Sequence, residues 1–300
     1  MKRSLGHVGL ALAAVALAAV VSTGAGATTT RAPDPEHGYV LAIGDSLTAG
    51  TQPTGPQDIP FGSPAEEVNR SGHGYAEQLV ASLRKEGMKV DLVNLACNRE
   101  TTQTMIDGLG SLCTYPHKTQ LAEALQFLHA HGKNTLAVVM SLGASDALFS
   151  CNPLDAVCYS NRLTTAAANL ATILGALRVE APSVPIATLN YADPFLAAWV
   201  IPALGGPPVA QLSVPLVAAP LEQFVQAAYA PFGVTIVDTQ GLLQTDDFVD
   251  TVTIPTFGTV PVNVAAICTY TYTCTWGDLH PTTAGYGLIA HAFAKTLGFE

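Results

Sequence analysis

The feature that most constrains this chain is the alternation of short apolar segments with helical patterns. The apolar segments, each of which predicts a strand, lie at residues 39–43, 88–97, 134–143, 184–191 and 234–239. The helical patterns lie at residues 74–87, 117–132, 159–180 and 284–297. Strands that are covered on both faces need not alternate apolar and polar residues, and strands that alternate with helices form parallel sheets. The sequence therefore predicts an α/β fold, a three-layer α/β/α sandwich with a parallel, flavodoxin-like, doubly wound sheet.

Size and charge narrow the classes of function. The chain has 300 residues, 49% of them hydrophobic and 12% charged, so it can bury a large core. We expect residues 38–300 to form a single domain. The formal net charge is −10. A chain this acidic does not have the basic character that nucleic-acid binding requires. Charge alone would also not hold it on an anionic membrane surface.

Residues 1–27 have the pattern of a secretory signal peptide. A basic head precedes an apolar run at residues 8–21, and small residues at 25–27 predict cleavage after Ala27. The run is shorter than the ~20 residues that span a bilayer, so an uncleaved membrane anchor is the weaker alternative. Residues 28–37 then form a flexible leader. We expect a secreted, extracellular monomer without stable membrane insertion.

Six cysteines follow the predicted signal peptide. An even number in an exported chain favours disulfides, and neither a Cys-x-x-Cys motif nor the histidine spacing supports a metal site. Six cysteines allow fifteen pairings. The gaps within sequential pairs are short and the gaps between them are longer, which favours three pairs: Cys97 with Cys113, Cys151 with Cys158, and Cys268 with Cys274.

A candidate nucleophile follows the first predicted strand. The sequence Gly44-Asp45-Ser46 stands where that strand ends, and ligands of open α/β sheets bind at the carboxyl ends of strands. A serine hydroxyl needs a base that removes its proton and an acceptor that orients the base. His280 and Asp278, in the segment DLHP, are the best candidates for these two roles. The other histidines that follow the predicted signal peptide lie in the leader, in loops or in predicted helices and are weaker candidates.

Together these motifs resemble those of the GDSL, or SGNH, hydrolase family of esterases and lipases, in particular its secreted actinobacterial branch. The matching blocks are GDSLT at 44–48, NLACNRETTQTM at 94–105, SLGASDAL at 141–148 and DLHP at 278–281. They span nearly the whole chain after the predicted signal. The resemblance implies an SGNH hydrolase fold, sequential disulfides, Ser46 as the nucleophile, and the backbone N–H of Ser46 as one oxyanion donor.

Three positions depart from the family pattern. Arg99 stands where the second block usually has a glycine whose N–H completes the oxyanion hole, and Ser145 replaces an asparagine of the third block. Gly277 stands where the fifth block usually has its aspartate, so either Asp278 or a backbone carbonyl orients His280. Loss of one oxyanion donor typically costs about 10²- to 10³-fold in rate. We therefore expect a slower or differently tuned enzyme, unless Ser145 or the Arg99 side chain compensates.

The sequence thus predicts a serine hydrolase that cleaves carboxylic esters, with Ser46, His280 and Asp278 as catalytic residues. It implies neither a metal nor an organic cofactor, and a small-molecule or lipid ester as substrate. Two alternatives stay open: a catalytically silent protein that binds lipid or cell-envelope glycan, and an acyltransferase with the same residues. Residues 199–224, apolar and rich in proline, form either a loop with a packed helix or a lid that favours acyl chains. The cation of Arg99 would favour esters with an anionic head group.

Overall fold

The structure is a computed structural model that describes residues 37–56, 70–148, 151 and 156–300. The predicted signal peptide and residues 28–36 of the predicted leader lie outside the described residues. The first strand begins at Gly38, where the sequence predicts that the leader ends. No helix in the described ranges is long and apolar enough to cross a membrane.

The described residues form seven strands and twelve α-helices. The strands are β1 (Gly38–Gly44), β2 (Val90–Asn94), β3 (Thr135–Ser141), β4 (Ile186–Leu189), β5 (Thr235–Val237), β6 (Thr251–Ile254) and β7 (Gly258–Pro261). The first six helices are α1 (Ser46–Ala49), α2 (Tyr75–Lys85), α3 (Thr102–Asp107), α4 (Gln120–His131), α5 (Ala144–Leu148) and α6 (Ala156–Glu180). The other six are α7 (Pro207–Ser213), α8 (Ala219–Tyr229), α9 (Thr239–Leu242), α10 (Val262–Tyr270), α11 (Thr273–Trp276) and α12 (Thr283–Thr296).

Five strands form one parallel sheet in the order β2-β1-β3-β4-β5. The chain runs from β1 outward to β2, then crosses back to β3 and continues to β5 at the other edge. Leu41 of β1 lies opposite Val93 of β2 and Val138 of β3. Helix α2 packs against α12, and α6 packs against α3, α4 and α8. This is the predicted flavodoxin-like α/β fold, and its strand order reverses between β1 and β3, where such sheets bind ligands.

The two central strands are buried on both faces. Residues 40–43 of β1 and residues 137–140 of β3 are all inaccessible to solvent. Because helices cover both sides of the sheet, neither strand alternates apolar and polar residues, which explains the continuous apolar segments in the sequence. Between the helices, Tyr75 of α2 stacks on Phe293 of α12 with 4.6 Å between the ring centroids.

Several elements are too short to give a clear periodic signal in the sequence. They include α3, α10 and α11, and the antiparallel hairpin of β6 and β7. Residues 199–224 form mainly helix: a 3₁₀ turn at Pro202–Leu204, helix α7, a π-helical turn at Val214–Ala218 and the start of α8. The helix of the first alternative is therefore present, and the second alternative, a lid that favours acyl chains, stays a prediction.

Candidate active site

Strand β1 carries Ser46 to the carboxyl edge of the sheet. The strand ends at Gly44, whose φ of +117° is strained for any L side chain, and a Cβ there would collide with the carbonyl oxygen of Ser141. Asp45 caps helix α1 by accepting a hydrogen bond from the backbone N–H of Leu47 at 3.1 Å. Ser46 is the first residue of that helix and is 6% exposed. The Gly-Asp-Ser sequence thus forms a tight strand-to-helix turn.

A buried chain of hydrogen bonds supports this turn from inside. Oγ of Ser141 donates to Oδ1 of Asp45 at 2.5 Å. Oγ1 of Thr48 lies 2.8 Å from the Ser141 hydroxyl and 2.7 Å from the hydroxyl of Tyr75. Burial raises the pKa of Asp45 to about 7, and the hydrogen bonds from Ser141 and from the backbone N–H of Leu47 oppose this rise.

The fifth-block segment brings a carboxylate to the histidine. Oδ1 of Asp278 lies 2.8 Å from Nδ1 of His280 and accepts a hydrogen bond from the His280 backbone N–H, also at 2.8 Å. Both side chains are buried. Gly277, with φ +69°, ends helix α11 and turns the chain into this segment. Of the two alternatives that the sequence left open, the structure places the Asp278 side chain against the ring.

Two hydrogen bonds join the loop that follows the serine to the loop of His280 and to helix α12. Nε2 of Gln52 donates to the carbonyl oxygen of Pro281 at 3.1 Å, and the hydroxyl of Tyr286 donates to the carbonyl oxygen of Thr51 at 2.9 Å. Nε2 of His280 is buried and has no hydrogen-bond partner among the described residues. Sequence reasoning did not identify Gln52, because its contact spans 229 positions and no local pattern marks it.

The second block runs beside the end of β1. The backbone N–H of Leu95 donates to the carbonyl oxygen of Ala42 at 2.8 Å, and that of Cys97 to the carbonyl oxygen of Gly44 at 2.9 Å. Arg99 then adopts φ +59°, in the left-handed region that favours glycine. The backbone here thus keeps a conformation typical of glycine, although the residue is an arginine.

The third block lies at the end of β3. Gly143 has φ +116°, and Ser145 is buried in α5. Oδ2 of Asp146 accepts a hydrogen bond from the backbone N–H of Thr102 at 2.9 Å, and Oδ1 accepts one from the Thr102 hydroxyl at 2.6 Å. Because Thr102 belongs to the second block and Asp146 to the third, these hydrogen bonds tie the two blocks together.

An apolar pocket lies beside these groups. Residues adjacent in sequence to Ser46, Ser145 and His280 form part of its wall, namely Leu47, Ala144, Leu279 and Pro281. The segment after β4 adds Pro194 and Phe195, the π-helical turn adds Val217, and the start of α8 adds Leu221. None of the described lining residues carries a charge. A concave, largely apolar surface next to a few polar groups is the usual form of a small-molecule site.

Three disulfides join neighbouring cysteines: Cys97 with Cys113, Cys151 with Cys158, and Cys268 with Cys274. Cys97 lies two residues before Arg99, and Cys274 lies six residues before His280. The bridges therefore close short loops next to the blocks, with the pairing that the spacing predicts. Across the described part of the chain, no group of three or more histidine, cysteine, aspartate or glutamate side chains is placed to hold a metal ion.

A serine and a carboxylate-bound histidine at the carboxyl edge of a parallel sheet are the arrangement expected of an α/β ester hydrolase. The model of the GDSL-like lipase/acylhydrolase family matches residues 42–288, and the chain belongs to this family. Carboxylic ester hydrolysis is therefore the reaction class at the level of the family. No curated protein sequence matches the chain significantly.

Solved structures similar to this chain include lipases and esterases. A lipase from a goat rumen metagenome is 14% identical, the match covers 86% of this chain and 97% of that one, and the TM-score is 0.51. The acetylxylan esterase Axe2 from Geobacillus stearothermophilus is 18% identical, the match covers 88% of this chain and 95% of that one, and the TM-score is 0.48. Phospholipase A1 from Streptomyces albidoflavus NA297 is 17% identical, the match covers 86% of this chain and 99% of that one, and the TM-score is 0.45. The likeness to the first of these supports the fold assignment.

Proposed function

We propose that the protein is a secreted serine esterase or lipase in which Ser46 is the nucleophile, His280 the general base and Asp278 the residue that orients the base. The observation that carries the proposal is the buried Asp278–His280 contact of 2.8 Å, in a loop bonded to the one that follows Ser46. Nε2 of His280 has no hydrogen-bond partner among the described residues, so it is available to take a proton.

The reaction would proceed in two halves. Nε2 of His280 takes the hydroxyl proton of Ser46 while Oγ attacks the ester carbonyl, and the protonated ring then donates that proton to the departing alcohol as the C–O bond breaks. In the second half the ring takes a proton from water, whose oxygen attacks the acyl-enzyme. Collapse of this intermediate releases the carboxylic acid and returns the proton to Ser46. The carboxylate of Asp278 stabilises the imidazolium in both halves.

The oxyanion would be held by the backbone N–H groups of Ser46 and Arg99 and by the hydroxyl of Ser145. The left-handed φ of Arg99 supports this proposal, because the backbone here has a conformation typical of the glycine that it replaces, and its N–H keeps the corresponding direction. The Ser145 hydroxyl is shorter than an asparagine amide. Since each oxyanion donor is worth about 10²- to 10³-fold in rate, we expect a slower enzyme than one with the full set.

The pocket favours an ester with an apolar acyl group. Its wall has no charged residue among those described, and it includes neighbours of the proposed nucleophile, oxyanion donor and base. An acyl chain in this pocket would hold its carbonyl carbon at the site. Three disulfides also fit a protein of an oxidising compartment, in keeping with the predicted signal peptide at residues 1–27.

Substitution of the nucleophile tests the mechanism. Purified Ser46→Ala should lose hydrolysis of p-nitrophenyl esters, assayed from acetyl to palmitoyl, while Ser160→Ala, at an exposed serine of α6, should keep it. His280→Ala should behave like Ser46→Ala. Hydrolysis by Ser46→Ala at the wild-type rate would show that the mechanism is wrong.

The replaced oxyanion residues favour one second candidate, a catalytically silent protein that binds lipid or cell-envelope glycan. Labelling with a fluorophosphonate separates the two, because modification requires an activated serine. Labelling that disappears in Ser46→Ala supports the hydrolase, and an unlabelled wild-type protein supports the binding protein. An acyltransferase would label in the same way but would transfer the acyl group to an added alcohol in preference to water.

A further inference from the structure

The helical run from α7 through the π-helical turn into α8 presents an apolar row to solvent. Four exposed residues recur at every fourth position and define what we term the apolar stripe: Pro208, Leu212, Leu216 and Pro220. The two leucine residues are 57% and 69% exposed. A surface helix of a globular protein normally turns polar residues to water, so an exposed apolar row points to a contact surface.

The neighbouring face of the same run forms part of the pocket wall. Val217 and Leu221 line the pocket, and Ala210 and Ala218 are buried against the body of the protein. The apolar stripe and one wall of the pocket are therefore two sides of a single helical segment. A surface that bound the stripe would lie next to the pocket.

The lack of charged residues around the apolar stripe indicates what kind of surface it could contact. Residues 194–221 contain no Asp, Glu, Lys, Arg or His, although the chain as a whole has a net charge of −10. A basic protein partner would call for acidic residues here, and an anionic membrane would call for lysine or arginine. A surface without net charge needs neither.

We propose that the apolar stripe docks on an uncharged or zwitterionic lipid surface and holds the mouth of the pocket at that surface. The proposal rests on the proposed ester hydrolysis and extends it to esters that are presented in an aggregate. The leucine side chains enter the boundary between head groups and acyl chains, as in helices that lie on a membrane without crossing it. The esters of that surface then have a short path to the uncharged pocket.

Flotation with phosphatidylcholine vesicles tests the docking without interference from hydrolysis. The secreted Ser46→Ala protein should float with the vesicles, and adding Leu212→Ser and Leu216→Ser should weaken its partition by about tenfold or more. A matched control carries Leu109→Ser and Val179→Ser, which lie elsewhere and are 77% and 84% exposed, and it should float like the parent. Flotation should not weaken between 0.1 and 1 M NaCl.

Three outcomes would overturn the docking proposal. They are no flotation of the parent protein, equal flotation of the stripe variant and the parent, and equal loss in the control. A wild-type dimer that becomes monomeric in Leu212→Ser/Leu216→Ser, measured by light scattering, would also overturn it, because a second copy would then occupy the stripe.

A soluble substrate separates this proposal from the proposed function. With Ser46 intact, the stripe variant should hydrolyse p-nitrophenyl acetate at the wild-type rate but lose activity on a triacylglycerol emulsion. If the wild-type protein hydrolyses neither the soluble ester nor the emulsion, the proposed function fails, while the flotation result still decides the docking surface.

Discussion

One carboxylate oxygen of Asp278 contacts His280 twice, at 2.8 Å from ring Nδ1 and at 2.8 Å from the backbone nitrogen. The second contact closes a local turn of the kind that Asp side chains form with the N–H two residues on. The same oxygen thus shapes the loop and touches the ring. These contacts support the proposal that Asp278, two residues before the histidine, takes the role of the aspartate that the family usually has three residues before it.

The double contact predicts how Asp278→Asn should behave. The asparagine oxygen can still accept the backbone N–H of His280, so the loop and the melting temperature should change little. It cannot balance the imidazolium charge, so kcat for a soluble ester should fall by about 10²- to 10⁴-fold. Steady-state kinetics and thermal melting of both proteins check this. A kcat within threefold of wild type would contradict the proposed role.

Arg99 should be strained, because the left-handed conformation at φ +59° is unfavourable in free energy for a non-glycine residue. Arg99→Gly and Arg99→Ala both remove the guanidinium, but only glycine relieves the strain. We expect the glycine variant to exceed the alanine variant in free energy of unfolding by about 1 kcal/mol. Urea unfolding measures the difference. Equal stability would mean that the conformation is not strained.

The same pair of variants tests substrate preference. If the Arg99 cation attracts anionic head groups, its removal should lower kcat/KM for an anionic ester by more than for a neutral ester of equal acyl length. Parallel assays of the two esters give the ratio. Equal changes on both would count against a role in specificity.

Asp45 should make stability depend on pH. Its pKa is raised by burial to about 7, so between about pH 4 and pH 7 the folded state holds a proton that the unfolded state has released. The free energy of unfolding should therefore fall as the pH rises through this window. Asp45→Asn keeps an oxygen for the Ser141 and Leu47 donors and has no proton to lose.

The difference in stability between wild type and Asp45→Asn isolates this effect from other titrating groups. As the pH rises from 4 to 7, the wild type should lose stability relative to Asp45→Asn. Above about pH 7 the difference between the two proteins should stay constant. Urea unfolding at several pH values measures the difference. A difference that stays constant across the window would show that Asp45 is ionised throughout.

Gly44 should tolerate no side chain. Its φ is +117° and a Cβ would meet the carbonyl oxygen of Ser141, so Gly44→Ala should cost about 3 kcal/mol or more. At Gly175, inside α6, an added Cβ would have no neighbouring atom within 4 Å, so Gly175→Ala should stabilise by roughly 0.5–1 kcal/mol. Thermal melting of the two variants checks both signs, and a stable Gly44→Ala would refute the steric argument.

The stability that each disulfide contributes should increase with the length of the loop that it closes. The bridge between Cys97 and Cys113 closes 16 positions and the one between Cys268 and Cys274 closes 6. Replacing each pair by alanine should cost about 3 and about 2 kcal/mol, respectively, because longer loops lose more unfolded-state entropy when cross-linked. Urea unfolding under non-reducing conditions ranks them. The reverse order would show that loop entropy does not dominate.

Local patterns carried the information for the fold. The apolar segments around β1 and β3 predict buried parallel strands because both faces of the sheet are covered, and the four-residue spacing of Tyr75, Leu79 and Leu83 predicts α2. Short elements such as α3, α10 and the β6–β7 hairpin were missed, since four to nine residues are too few to show a period. Their formation depends on the packing around them.

For the site, the sequence by itself determined which residue types are available, namely the Gly44-Asp45-Ser46 turn and a histidine with a nearby aspartate. Only the tertiary structure decided that Asp278 reaches the His280 ring and that Arg99 takes a glycine-like φ. The tie from Gln52 to Pro281 also exists only in the folded chain, because 229 positions separate the two residues. Contacts of this range depend on how the sheet and helices pack, and no local stretch of sequence encodes them.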